Sequence, residues 1–313
     1  MAGLIVFFRH TPEFATLSIT FVSIFLEALP FMLLGAFIGG FIEVFVSKTI
    51  ITHIVPARPL PAILLAAGLG LVFPVCECAI VPVVRRLFGK GLPLGAGIAF
   101  LLGGPIVNPL VALSTAVAYG NNQAIAGYRL VSGYLIAVAV GLLIDRFFSR
   151  KTALVNEPRG NIGEMDDGCN EPASSPGISI QIRRAFRHGA SDFIDIGRFL
   201  VFGAFVAGVL QTLVARGDLA ALFGSLPLSV LAMMTLALLL SLCSEADAFV
   251  AASFRTTLPL TAQMAFMVLG PMLDLKLVAM YFRVFKKRLI LVMSLLTFII
   301  VFLSMMAGTW VGR

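Results

Sequence analysis

The chain has 313 residues, 59% hydrophobic and only 12% charged, with a formal net charge of +7. Composition of this kind excludes a soluble globular core and points to helices of about 20 apolar residues that span a bilayer. Lys and Arg number 23 against 16 Asp and Glu, an excess that fits basic loops beside a cytoplasmic leaflet and excludes a nucleic-acid role.

The short alternating strands of a membrane β-barrel are missing from the sequence, so the expected class is an all-α polytopic membrane protein. Four cysteines, three of them in apolar sequence, argue against a disulfide framework. Residues 1–10 place their apolar run before their basic residues, the reverse of a secretory signal, so no cleavage is expected. The apolar run 14–46 carries Glu27 near its middle, the small-residue stretch Gly35-Ala36-Phe37-Ile38-Gly39-Gly40, and an interfacial Glu43. As a helix rising ~1.5 Å per residue it reaches about 50 Å, against a hydrocarbon core of about 30 Å, so tilt or a kink at Pro30 is expected. A loop with Lys48, His53 and Arg58 follows, and no metal role is expected of His53.

Residues 60–75 lead into Phe-Pro-Val-Cys-Glu-Cys-Ala-Ile-Val-Pro-Val at 73–83, where two cysteines and a glutamate stand between Pro74 and Pro82. The prolines predict a broken helix here. A carboxylate at membrane depth is costly unless paired, protonated or hydrated. Broken helix and ionisable group together mark a transport site in many secondary transporters. Residues 92–119 are apolar but interrupted at Gly103-Gly104-Pro105 and Asn108-Pro109, and after the polar Asn121 turn residues 126–144 read as an ordinary span. Residues 149–188, with Pro158, Pro172, Pro176 and an acidic group, read as a largely disordered linker in which Cys169 is incidental. Further spans are expected near 194–214, 226–242, 258–282 (interrupted at Gly270-Pro271) and 289–311.

The two halves read alike. Gly35-Ala36-Phe37-Ile38 matches Gly203-Ala204-Phe205-Val206, and Glu27 and Asp195 each stand eight residues before those glycines. Cys76-Glu77-Cys78-Ala79 corresponds to Cys243-Ser244-Glu245-Ala246, Leu92-Pro93-Leu94 to Leu258-Pro259-Leu260, and Gly104-Pro105 to Gly270-Pro271, which sets Asn108 opposite Asp274. Apolar chance similarity does not keep glycine, proline, cysteine and acidic positions in common order. The chain therefore divides into a first membrane repeat (1–148), a cytoplasmic linker (149–188) and a second membrane repeat (189–313). Basic residues around the linker and at Arg283, Lys286, Lys287 and Arg288 fit the inside, as do Arg85, Arg86 and Lys90. These sides agree if each half has three spans and one re-entrant broken hairpin, which makes the halves an inverted repeat whose hairpin tips meet near the midplane. The alternative takes every hairpin arm as a full span.

The motif at 73–83, Gly104-Pro105-Ile106-Val107-Asn108-Pro109 and the stretch Cys243–Phe254 resemble the bacterial predicted-permease family over almost the whole chain outside the linker. That family includes organoarsenical efflux permeases and proteins proposed to handle thiophilic metals. Its members usually carry Cys-Ser-Cys-Gly or Cys-Asp-Cys-Gly at the first site, whereas this chain has Cys76-Glu77-Cys78-Ala79. The resemblance implies a multi-pass permease of the bacterial inner membrane, in contact with lipid and a small solute or ion, with no enzyme activity and no cofactor.

Thiolates favour soft acceptors. Cys76, Cys78 and Cys243 are thus candidate ligands of a transported metal or metalloid, or neighbours of an anionic sulfur solute. Cys76, Glu77, Cys78, Asn108, Cys243, Glu245, Asp247 and Asp274 are the expected substrate-binding residues, with Asn108 and Asp274 equally readable as helix caps. Glu27, Glu77, Asp195 and Glu245 are proton-coupling candidates, although Asp195 is also placed to pair with Arg198. The pairs Met233-Met234 and Met305-Met306 read as lipid-facing filler. The expected function is a secondary permease exporting a thiophilic metal, metalloid or small sulfur-containing solute with proton coupling. A membrane thiol oxidoreductase, or a membrane subunit serving a partner protein or a second copy, are the alternatives. No Walker motif is present, so the chain carries no nucleotide motor of its own.

Overall fold

In hydrocarbon every backbone polar group must be satisfied within the protein, and helices do this segment by segment. The computed structural model describes residues 12–45, 56, 58–73, 75–155, 178–213 and 225–311. Among these, all regular structure is helical apart from an isolated bridge between Leu154 and Phe285. The first half comprises α1 (Pro12–Phe45), α2 (Pro59–Gly68, extended by a 3-10 turn at Leu69–Leu71), α3 (Glu77–Gly89), α4 (Leu94–Gly103), α5 (Pro109–Ala118) and α6 (Gln123–Phe147). After a short α7 (Arg150–Ala153), the second half comprises α8 (Ile178–Leu213), α9 (Leu226–Leu240), α10 (Ser244–Ser253), α11 (Leu260–Leu269), α12 (Leu275–Tyr281) and α13 (Lys287–Val311).

The succession is the same in both halves: one long helix, four short ones, one long one. The starts coincide with the matched motifs. Cys76 and Cys243 are the N-caps of α3 and α10, Pro93 and Pro259 those of α4 and α11, and Asn108 and Asp274 those of α5 and α12. By length and composition, three segments are able to cross a membrane among the described residues: Leu17–Val44, Gln123–Phe147 and Lys287–Gly308. A ten-residue helix reaches only ~15 Å, half of the ~30 Å core, so a helix of that length does not span it alone. Where the sequence suggested long interrupted spans at 92–119 and 258–282, the structure has pairs of separate short helices.

Pro82 was a weaker breaker than expected. Pro30 lies inside α1 and Pro82 inside α3, and neither ends its helix. The break in the first motif falls before Glu77, in the stretch that includes Val75 and Cys76. The ends of the expected linker are ordered. Leu154 bridges to Phe285, Lys286 N donates to Ala153 O at 2.8 Å, and residues 178–188 belong to α8. Residues 156–177, with Cys169, lie outside the described residues, as do Lys48, His53 and Pro74.

Helix α1 packs along α8, α3 against α1, and α12 against α8, while α2, α4 and α6 form one cluster and α9, α11 and α13 another. Between the halves the contacts are reciprocal: α5 meets α10, and α12 meets α3. The repeat-related glycines set two of these approaches. A Cβ on Gly35 would lie 2.5 Å from Ala79 Cα, and one on Gly203 would lie 2.8 Å from Lys276 Cα. Small residues at such positions let helix backbones come close in a membrane. Met233, Met234 and Met305 are fully buried in the core, which corrects their reading as lipid-facing filler. Their flexible thioethers fill space between the short helices.

Candidate functional site: buried charge at the helix breaks

The first break presents Glu77. Cys76 is extended (φ −75, ψ 165), and Glu77 opens α3, where the helix dipole favours a carboxylate. The side chain is 1% exposed, with Oε1 2.5 Å from the ammonium of Lys276 and Oε2 without a hydrogen-bond partner.

The second break supplies the rest of the cage. Helix α9 ends at Ser241 in the left-handed conformation (φ 47, ψ 45), unusual for a residue with a Cβ. Its carbonyl and that of Leu242 accept from Lys276 Nζ at 2.9 and 3.3 Å. Asp274 caps α12 by accepting from Leu277 N at 2.6 Å through Oδ1, while Oδ2 stands 3.5 Å from Lys276. The ammonium is thus surrounded by four oxygens: two carboxylates, one from each half, and two carbonyls released by a broken helix. All three ionisable groups are at most 3% exposed. Such charges persist in a low-dielectric interior only when paired and hydrogen-bonded.

A second buried cation lies nearby. Arg129 of α6 is fully buried and makes three hydrogen bonds: Nε to Met267 O at 3.1 Å, one terminal nitrogen to Thr115 Oγ1 at 2.8 Å, and the other to Ser244 O at 2.9 Å. It ties α6 to α5, to α11 and to the start of α10. Residues 126–144 are therefore not an ordinary span. Asp247, 1% exposed, has an Oδ2 with no hydrogen-bond partner, and a Cβ at Gly270 would sit 2.5 Å from that oxygen. Glycine at the Gly270-Pro271 break is what admits the carboxylate. Tyr119 donates to Gln263 Oε1 at 2.7 Å, adding a neutral contact between the halves.

The sequence-predicted residues separate into groups. Glu77 and Asp274 meet at Lys276. Asn108 is a cap, accepting from Leu110 N at 2.9 Å. Glu245 is half-buried and accepts from Ser244 Oγ at 3.3 Å. The cysteines are free thiols: Cys78 is buried, Cys76 and Cys243 half-buried, and Glu27 is a neighbour of the Cys243 thiol. Among the described residues no group of three or more His, Cys, Asp or Glu side chains is placed to hold a metal ion, so Cys76, Cys78 and Cys243 do not form a ready ligand set in this arrangement.

Glu27 and Asp195 are related by the repeat but not by environment. Asp195 lies in an ion-pair lattice, with Oδ2 2.6 Å from Arg283 and 3.7 Å from Arg85 and Oδ1 3.6 Å from Arg198. The centre of that lattice is Asp192, which the sequence reading passed over. It is 1% exposed and is held by Arg85 at 3.2 Å and Arg86 at 2.5 Å. Arg86 and Lys90 also reach Glu43, at 3.6 and 3.5 Å. Lys276 and Arg129 were missed as well. The available signal was simple: a lone basic residue in an apolar segment is costly, and in membrane proteins it usually faces the bundle interior with a partner.

Helices of spanning length, short apolar helices between them and buried charge shared between two similar halves define a polytopic helical membrane protein. The chain belongs to the predicted permease family (ArsP_1), whose model matches residues 13–309. It is 38% identical over 290 residues to the UPF0718 protein YcgR of Bacillus subtilis, covering 92% of this chain and 95% of that one. It is also 38% identical over 287 residues to a Streptococcus mutans protein named as a subunit of a two-component membrane permease complex, covering 91% and 92% of the two chains. The UPF0718 protein YraQ of Escherichia coli is 24% identical over 127 residues, 40% of this chain and 35% of that one. No solved structure matches the chain.

Proposed function

We propose that the protein is a secondary permease in which a small solute or ion crosses at the two helix breaks, with Lys276 as a tethered counter-ion. The observation that carries this reading is the Lys276 ammonium between Glu77 of one half and Asp274 of the other. A transported cation or a proton on Glu77 competes with that ammonium for the same oxygens, which couples cargo to charge. The two halves act as an inverted repeat whose re-entrant hairpins carry the motifs. The reciprocal packing of α5 on α10 and of α12 on α3 supports that symmetry.

The cargo is a thiophilic metal, metalloid or small sulfur-containing solute, exported from the bacterial cytoplasm across the inner membrane. Cys76 and Cys78 flank Glu77, and Cys243 occupies the equivalent N-cap of α10. Soft donors at a path's narrowest charged point suit a soft cargo. Glu77 is the first candidate for proton coupling, with Glu245 and Glu27 next. Asp195 serves the ion-pair lattice.

The test is counterflow in proteoliposomes with Zn(II), Cu(I), methylarsenite and thiosulfate. Exchange of one of these is expected, with loss in the Cys76→Ser, Cys78→Ser, Cys243→Ser triple variant and altered pH dependence in Glu77→Gln. Exchange that survives the triple variant removes the thiols from the mechanism. A second reading rests on the Streptococcus mutans relative, named as a complex subunit. On that reading the purified chain alone is inactive, and exchange appears only when a co-purifying membrane partner is reconstituted with it.

A further inference from the structure

A cavity of about 660 Å³ lies between α9, α12 and α13, lined by Leu238, Asp274, Val278, Ile290, Ser294 and Phe298 among others. Small-molecule sites run to roughly 300–1,000 Å³, mostly apolar with a few convergent polar groups. Two polar atoms of this cavity's lining are buried without a hydrogen-bond partner: Ser294 Oγ, and Asp274 Oδ2, which has only the 3.5 Å ion pair to Lys276. Asp274 itself is fully buried. A buried carboxylate oxygen with only one long ion pair is under-satisfied. Charge counting gives the sign of what is missing. Glu77 and Asp274 share the single ammonium of Lys276, so this cluster has room for one more positive charge.

The cavity opens sideways. Its rim includes Leu291, Leu295 and Phe282, which are 66%, 56% and 42% exposed, and the first two lie on a helix fit to span the bilayer. Ser294 lies seven residues into α13, ~10 Å from its start, so the polar floor is within the hydrocarbon layer. The cation of the lining, Lys287, is the exposed first residue of α13, where its long side chain can reach toward water.

We propose that this cavity binds a lipophilic ammonium compound, an aryl or alkyl body with one protonated amine, which enters from the bilayer and sets its amine on Asp274 Oδ2 and Ser294 Oγ. The apolar walls take the body and the two oxygens take the N–H donors. The site does not depend on which cargo crosses at the cysteine motif, and its occupancy is read without transport.

The experiment is photolabelling of the full chain in lipid nanodiscs with 4-(trifluoromethyldiazirinyl)benzylamine, and with the matching benzyl alcohol as the neutral control. Adducts are mapped by mass spectrometry. Saturable labelling of peptides covering residues 273–298 by the amine is expected, at least ~10-fold above the alcohol, because a charge-assisted bond to a buried carboxylate discriminates by that order. Asp274→Asn keeps the α12 cap, since Asn caps as well as Asp, and should lose labelling by a similar factor. Ser294→Phe fills the cavity and should abolish it. Equal labelling by amine and alcohol in the wild type, or full labelling of Asp274→Asn, would make the cavity a groove for lipid chains only and overturn the proposal.

Discussion

The ammonium of Lys276, in the second half of the chain, stands 2.5 Å from Oε1 of Glu77 in the first. This ion pair joins the two helix breaks, and both partners are at most 3% exposed. Removing Lys276 strands two carboxylates, Glu77 and Asp274, whereas removing the charge of Glu77 leaves Lys276 still paired with Asp274. Breaking a buried pair from one side typically costs about 3–5 kcal/mol. Lys276→Met should fall in that range and Glu77→Gln well below it, measured as unfolding free energy in mixed micelles. A double variant no worse than Lys276→Met alone would establish the coupling, and strict additivity would deny it.

Arg129 satisfies three acceptors on three different elements, and only a guanidinium has the fork to do so. Arg129→Lys retains the charge but reaches fewer of them. Hydrogen bonds from charged groups contribute about 1.5–3 kcal/mol each, so this variant should lose about 2–4 kcal/mol. Arg129→Met should lose more, because Asp247 then loses its strongest cationic neighbour. Thermal melts of the detergent-solubilised variants check the order, and a wild-type melt for Arg129→Lys would refute it.

Gly203 approaches the backbone of Lys276, and its repeat counterpart Gly35 that of Ala79. Overpacking costs about 1–3 kcal/mol, more where backbone is the obstacle. Gly203→Val should therefore lower stability and also disturb the Lys276 cage, reducing counterflow in the molecules that remain folded. Gly197→Ala serves as a control. Its Cβ meets only Met32 Cε at 3.3 Å, the end of a flexible side chain, so that variant should melt within a few degrees of wild type.

Asp192 and Asp195 are one turn apart on α8 yet should behave differently. Asp192, buried between Arg85 and Arg86, leaves those guanidiniums only their longer pairs with Asp195 and Glu43 when replaced by Asn, a loss of about 3 kcal/mol, the low end for a buried pair. Asp195 has a 30% exposed side chain, so Asp195→Asn should cost no more than about 1 kcal/mol and leave the pH profile of transport unchanged. A changed pH profile in Asp195→Asn would restore it as a coupling residue.

Much was legible in the residues themselves. Apolar composition determined a helical membrane protein. Glycine, proline and capping residues act on the local backbone, so the motif positions of the two halves were visible as breaks, and Cys76/Cys243, Pro93/Pro259 and Asn108/Asp274 do cap corresponding helices. The cap reading of Asn108 was also within reach, since its hydrogen bond closes over two residues. Pro82 misled because one missing donor costs a helix a bond without necessarily ending it.

The partners were decided only by tertiary structure. Nothing local tells Glu77 that its counter-ion is Lys276, or sends Asp195 to Arg283 and Glu27 to Cys243 although the repeat makes them equivalent. In apolar sequence a charge advertises that it needs a partner. Which partner it meets depends on how α1, α8 and the short helices dock, and that docking rests on packing at glycines and on reciprocal contacts between halves. Local backbone chemistry therefore wrote the breaks, and long-range packing chose the charges that fill them.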